Sequence, residues 1–193
     1  MDDPKRKRWT VTEFYRIIEL GIIDGEQCEL IEGDIMQKER LSPPHALCKT
    51  HLSEWLAKTY GSDYVSQNRS IIPVNDADRK SSEPEPDFAV LCNNLEHYAQ
   101  NHPPAEDVIL IIETAEITLS YDLIVKSAFY ARNAIVEYWV VDVAGRQIIV
   151  HLNPTPEGYE SVVTFEAEGE IAPAAHPEAK IKVADLLPLT STA

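Results

Sequence analysis

The sequence predicts an α/β fold with α+β character, and three observations carry that expectation. The chain has 193 residues, 44% of them apolar, enough for one compact domain with a genuine core. Val108-Ile109-Leu110-Ile111-Ile112 is a continuous, β-branched-rich run of the kind a strand buried on both faces requires. Elsewhere apolar residues recur at helical spacing, at Val11, Phe14, Tyr15 and Ile18 and again at Cys48, Leu52, Trp55 and Leu56.

Thr10 and Glu13 form a capping box that opens a first helix running to about Leu20, with Gly21 as its stop. "EQCELIEGDIMQK" reads as a hairpin turning at Glu32-Gly33-Asp34. Ser42-Pro43-Pro44 supplies a cap and a first-turn proline for a second helix, which Gly61 ends. Strands are expected at about Tyr64 to Pro73, Phe88 to Leu91 and Val108 to Glu113, with a long loop over 93–106. A third helix follows from about Ser120 to Asn133. Tyr138 to Asp142 and Ile148 to Leu152 form strands around an Ala144-Gly145 turn, and Tyr159 to Phe165 adds another. The last dozen residues read as frayed. The organisation expected is a flexible basic tail over 1–9, one domain over 10–188 and a short tail over 189–193.

The charge balance narrows the function classes. Seventeen Lys and Arg oppose 32 Asp and Glu, a net −15 that disfavours non-specific attraction to nucleic acid. Lys5-Arg6-Lys7-Arg8 is the one basic run, more a solvated tail than a phosphate-binding arm. Cys28, Cys48 and Cys92 are odd in number and lack C-x-x-C spacing, so they read as small core residues rather than a disulfide framework or zinc site. No apolar run approaches the ~20 residues of a membrane span, and the N-terminus lacks a signal-type apolar region. A soluble, cytoplasmic protein with no membrane partner is expected.

The chemistry concentrates where two strands meet the third helix. Pro86-Asp87 stands at the mouth of one strand, with proline tolerated there and the acid either a turn residue or a ligand. Glu113 ends the buried run, and two such acids could jointly hold a hard divalent cation. Asp122, Lys126 and Tyr130 are spaced by four and share a helix face. A lysine aimed into an acidic pocket stabilises developing negative charge, but spacing alone favours an ordinary surface pair of Asp122 and Lys126.

Further segments supply a family resemblance. "CELIEGDI", "SPPHALCKTHLSEWL", "SEPEPDFAVL", "IIETAEITLSYDLIVKSAFYARNAIVEYWVVD" and "RQIIVHL", in that order, resemble successive blocks of the Uma-type restriction endonuclease family within the PD-(D/E)XK nuclease superfamily. The likeness spans roughly residues 10–188. It implies a restriction-endonuclease-like core, a mixed central sheet flanked by helices with an N-terminal helix and hairpin. It also implies a Mg²⁺-dependent DNA endonuclease, with Mn²⁺ as a substitute ion, that works as a homodimer so that two sites cut two strands. By the same resemblance Asp87 is the motif aspartate, Glu113 the second acid, Glu29 the upstream glutamate and Lys126 the catalytic lysine. Asp87, Glu113 and Glu29 are then the metal ligands. Where the superfamily signature has lysine two positions after the second acid, this chain has Ala115, which leaves Lys126 to fill that role. Glu116 adds an acid that opposes phosphate affinity.

Supporting roles near substrate are open to three more residues, each with a plainer account. His45 could make only a helix-start hydrogen bond, Gln67 could be a polar edge position, and Tyr130 could simply pack. Trp139 reads as core or interface, and the remaining histidines show no shared ligand spacing. Two other functions compete with the endonuclease: a nuclease-fold binding or regulatory module without turnover, and a metal-dependent phosphodiesterase on another nucleic acid.

Overall fold

A computed structural model of the chain describes residues 6–38 and 40–189. Helix α1 spans Val11–Glu19; Thr10 caps it, and Glu13 reaches back to the cap in the expected box. The hairpin follows as β1 (Cys28–Ile31) and β2 (Asp34–Gln37), antiparallel with Ile31 opposite Asp34. Gly33 at its turn has φ +79, and a Cβ there would lie 2.8 Å from the Arg8 Cβ, so the turn needs glycine for conformation and for room. Next come α2 (Pro43–Tyr60), capped by Ser42, then β3 (Val65–Gln67), α3 (Asp76–Ser81), β4 (Phe88–Leu91) and β5 (Val108–Ala115). Helical element α4 consists of α segments Leu119–Tyr121 and Ser127–Arg132 around a π-helical turn, Asp122–Lys126. Strands β6 (Glu137–Asp142), β7 (Gln147–Thr155) and β8 (Gly158–Glu166) complete the main sheet. A small pair, β9 (Glu170–Ile171) and β10 (Ile181–Lys182), leads into α5 (Val183–Leu186).

The sheet runs β3-β4-β5-β6-β7-β8. Its one parallel pairing, β5 with β6, is joined through α4; the other four are antiparallel, which makes the sheet mixed as expected. Strand alternation then divides the core in two. Leu110 and Ile112 of β5 and Trp139 and Val141 of β6 point to one face, where Cys48, Leu52 and Leu56 of α2 cover them. Ile111 and Ala115, with Tyr138 and Val140, point to the other face and pack on Phe129 and Tyr130 of α4. Trp139 is core, stacked on Trp55 with ring centroids 5.8 Å apart. Each fully buried aromatic or aliphatic side chain contributes about 1.5–3 kcal/mol, so both helices are held chiefly by these faces.

Four expectations are revised. The strand expected over 64–73 stops at Gln67, because Asn68 adopts φ +47 and turns the chain out of the sheet. Helix α3, capped by Asn75, occupies a stretch read as loop. The C-terminal segment is not frayed up to its last described residues: Val183, Leu186 and Leu187 are buried in the α2-facing core. Of the cysteines only Cys48 is a core residue, since Cys28 is half-buried and Cys92 exposed. In the basic run, Arg6 and Arg8 pair with Asp34 and Lys7 with Glu13, all exposed, whereas Lys5 lies outside the described residues, as do residues 190–193 of the expected C-terminal tail.

Candidate active site

Alternation along β5 also builds the site. Glu113 shares parity with Ile111 and Ala115 and therefore emerges on the α4 face, whereas Thr114 emerges on the α2 face. Register brings Asp87 beside them. Strand β4 pairs antiparallel with β5, Phe88 opposite Ile112, so the next step outward sets Asp87 opposite Glu113. The Asp87 N–H accordingly points at Glu113 Oε2, 3.4 Å away. A bridge between Leu30 and Glu83 ties the hairpin to the segment leading into β4 and brings Glu29 into the same cleft, where its Oε2 accepts from the Glu85 N–H at 3.1 Å.

Helix α4 closes the cleft from its own side. The π turn is a widened turn of the kind often found at functional sites, and it leaves both Asp122 and Lys126 buried. Lys126 Nζ lies 2.8 Å from Glu29 Oε1 and 2.9 Å from Glu113 Oε1, and the three side chains are only 6–7% exposed. Tyr130 donates to the same Glu113 oxygen at 2.9 Å. The ion pairs of Lys126 thus run inward to these glutamates, in place of the surface pair with Asp122 that spacing alone favoured. Asp122 Oδ2 accepts from the Thr118 hydroxyl at 2.7 Å.

On the α2 side, Lys49 Nζ lies 2.6 Å from Asp87 Oδ1, and Thr114 engages the other oxygen through its N–H at 2.8 Å and through its hydroxyl. Because the single hydroxyl proton of Thr114 goes to Asp87, the contact of 2.5 Å between His45 Nε2 and Thr114 Oγ1 must be donated by the histidine. His45 is 3% exposed, and its Nδ1 has no hydrogen-bond partner among the described residues.

The electrostatics follow from burial and neighbours. Burial pushes Glu113 up from the ordinary carboxylate range; Lys126 opposes this, while Asp87, Asp122 and Glu29 add to it. Burial also pushes Asp122 up, to about 6, against Lys126 and the Thr118 hydrogen bond. For Asp87 burial acts upward as well, but Lys49 and Thr114 outweigh it and hold the carboxyl below its usual value. Burial alone would lower Lys126, yet Glu113, Glu29 and Asp122 hold its ammonium well above the ordinary lysine value.

These groups line a cleft of about 1100 Å³ that carries, among the described residues, eight Asp and Glu side chains against four Lys and Arg. The oxygens suit a hard divalent cation at two positions. Among the described residues, Asp87 Oδ1 accepts from Lys49, and Glu113 Oε2 accepts the long contact from Asp87. Both Glu29 oxygens are engaged, Oε1 by Lys126 and Oε2 by the Glu85 N–H. Among the described residues, no group of three or more His, Cys, Asp or Glu side chains is arranged to hold a metal ion. Gln67 stands apart from the cleft, donating to Ser53 Oγ at 2.8 Å. Lys49 and the Thr114 side chain were not anticipated. The available signal was spacing: Lys49 lies four residues after His45 and shares its helix face. Glu116, expected to oppose phosphate, accepts from the cap hydroxyl of Ser42 at 2.6 Å.

The chain matches the Uma2 family, described as "Putative restriction endonuclease", over residues 11–184. No curated protein matches it. A crystal structure described as a putative nuclease belonging to DUF820, from Anabaena variabilis ATCC 29413, shares its fold at 16% identity with a TM-score of 0.64, over 92% of this chain and 96% of that one. Among the described residues no helix is long and apolar enough to cross a membrane.

Proposed function

Because the chain belongs to the Uma2 family, we propose that it is an endonuclease hydrolysing phosphodiester bonds of DNA with Mg²⁺, in the manner of the PD-(D/E)XK nucleases. The observation that carries this reading is the juxtaposition of Asp87 and Glu113 across one β-register step, with Lys126 bonded to Glu113 at 2.9 Å. Asp87 Oδ1 and Glu113 Oε2 would hold the ion. When bound, a divalent cation polarises the phosphodiester and lowers the pKa of water.

The chain's own residues supply the rest. Glu29 and Glu113 fix the Lys126 ammonium from two sides and occupy two of its three N–H groups, leaving one for a phosphate oxygen that gains charge as the reaction proceeds. Tyr130 holds Glu113 Oε1, which turns Oε2 toward Asp87. Thr114 fixes Asp87 Oδ2, His45 holds the Thr114 hydroxyl in place, and Oδ1 is thereby oriented into the cleft. A homodimer would bring two such sites to two strands.

The excess of carboxylates in the cleft supports a second reading, a nuclease-fold module without turnover. Plasmid nicking with Mg²⁺ or Mn²⁺ decides between them. Nicking by the wild type, absent with a chelator and lost in Asp87→Asn, is expected. No nicking with either ion rejects the enzyme, and a panel of RNA and small diesters tests whether DNA is the substrate.

A further inference from the structure

We propose that Lys49 exchanges partners: it pairs with Asp87 until a divalent cation takes Asp87 Oδ1, and its ammonium then engages a phosphate oxygen of the substrate. The inference rests on the reading that Asp87 and Glu113 hold the cation. Lys49 Nζ is 2.6 Å from Asp87 Oδ1 and 3.0 Å from Asn68 Oδ1, and it lies over the Phe88 ring at 5.9 Å.

The other Asp87 oxygen is not available as an alternative. The Thr114 N–H and hydroxyl hold it, and His45 holds that hydroxyl in turn. Rotating the carboxylate would break all of these bonds, so ammonium and divalent cation compete for one atom. They do not share it, because two positive charges bonded to the same oxygen repel strongly in a site screened from water.

The displaced ammonium remains in the cleft, because Lys49 lines it together with Lys126 and Glu113 and its backbone is fixed in α2. An anionic phosphodiester offers it an acceptor equivalent to the one it lost. Asn68, which already accepts from the same ammonium at 3.0 Å, is an uncharged partner that the cation does not displace. In a cleft where carboxylates outnumber Lys and Arg side chains among the described residues, this exchange turns a cation held in an internal pair into one facing the polyanion.

The test uses Lys49→Met, which keeps an unbranched stem over Phe88. Mn²⁺ binding is titrated by calorimetry in the wild type, Lys49→Met, Asp87→Asn and the double variant. Binding of a fluorescein-labelled DNA duplex is followed in Ca²⁺. Lys49→Met should bind Mn²⁺ about tenfold more tightly or better, the worth of one charged hydrogen bond. That gain should vanish in the Asp87→Asn background, where there is no shared atom. DNA affinity in saturating Ca²⁺ should fall by about tenfold for the same reason. A packing defect would not tighten Mn²⁺ binding. Equal or weaker Mn²⁺ binding by Lys49→Met, a gain that persists in Asp87→Asn, or undiminished DNA affinity each overturns the exchange. Absence of Mn²⁺ binding in both the wild type and Lys49→Met overturns the cation reading beneath it as well.

Discussion

Replacing Lys126 by Met removes a charge and keeps the bulk of the side chain, and the geometry fixes what should follow. Lys126 Nζ stands 2.8 Å and 2.9 Å from oxygens of Glu29 and Glu113, so without the ammonium two carboxylate oxygens face each other across about 5 Å with almost no access to water. At an effective dielectric of about 20 their repulsion is about 3 kcal/mol. This agrees with the ~3–5 kcal/mol usual for breaking a buried pair from one side. Protonating one carboxyl relieves it, at a cost of about 1.4 kcal/mol for each pH unit above an ordinary glutamate value of ~4.3. That escape costs about 1 kcal/mol at pH 5 and about 5 kcal/mol at pH 8. Without the ammonium the folded-state pKa of Glu113, which burial already raises, climbs further above its unfolded value. Stability is then retained below the unfolded value and lost as pH climbs through the folded one. Urea unfolding without divalent cations should show Lys126→Met weakened by about 3 kcal/mol at pH 8 and about 1 kcal/mol at pH 5. A loss under about 1 kcal/mol at pH 8, or one independent of pH, would refute the placement of Lys126 between two ionised glutamates.

Other consequences can be checked separately. Asp87→Asn takes away the partner of Lys49 and should melt below the wild type without divalent cations. It should also lose the Mn²⁺-induced stabilisation, about 2.7 kcal/mol at a hundredfold excess over Kd in the wild type, and a full rise in the variant would remove Asp87 from the ligand set. Gly33→Ala strains a residue at φ +79 and drives a Cβ against Arg8, so the urea midpoint should fall by an amount equivalent to about 1–3 kcal/mol; an unchanged midpoint contradicts the tight seating of the hairpin turn. DNA binding should need a divalent cation and weaken steeply with salt, measured by anisotropy in Ca²⁺, because the cleft itself is acidic. Affinity indifferent to both would count against DNA as the substrate.

How much of this was legible in the sequence depended on how local the cause was. The capping box at Thr10 and Glu13, the Ser42 cap before two prolines and the hairpin turn at Gly33 are each set within a few residues, and each forms where the sequence puts it. The apolar run from Val108 identified the central strand, but only the register of β4 against β5 makes Asp87 and Glu113 neighbours. Lys49 escaped notice because its partner is 38 residues away and its spacing fits a surface lysine of a helix. The C-terminal segment was misread because Val183, Leu186 and Leu187 are too few to show a period, and their burial depends on α2 being there to receive them. Asn68, a residue that tolerates left-handed backbone, cut short a strand that β-branched Ile71 and Ile72 had made seem longer.

The π turn at Asp122–Lys126 carries a consequence for how this protein can tolerate changes in length. A π turn holds one residue more than an α turn, so deleting any single residue within it would leave a better-formed helix. Local regularity would improve while the following segment kept nearly the same phase, because four α residues at about 100° each turn the chain about as far as the five of the π turn. Phe129 and Tyr130 would stay on the sheet, whereas the spacing of Asp122 and Lys126 that the widened turn sets would change. Insertions and deletions are usually absorbed by loops because loops have no phase to keep. Here an irregular turn inside a helix can absorb one as well, so a one-residue deletion there should spare the fold and spoil the placement of Lys126 against Glu29 and Glu113.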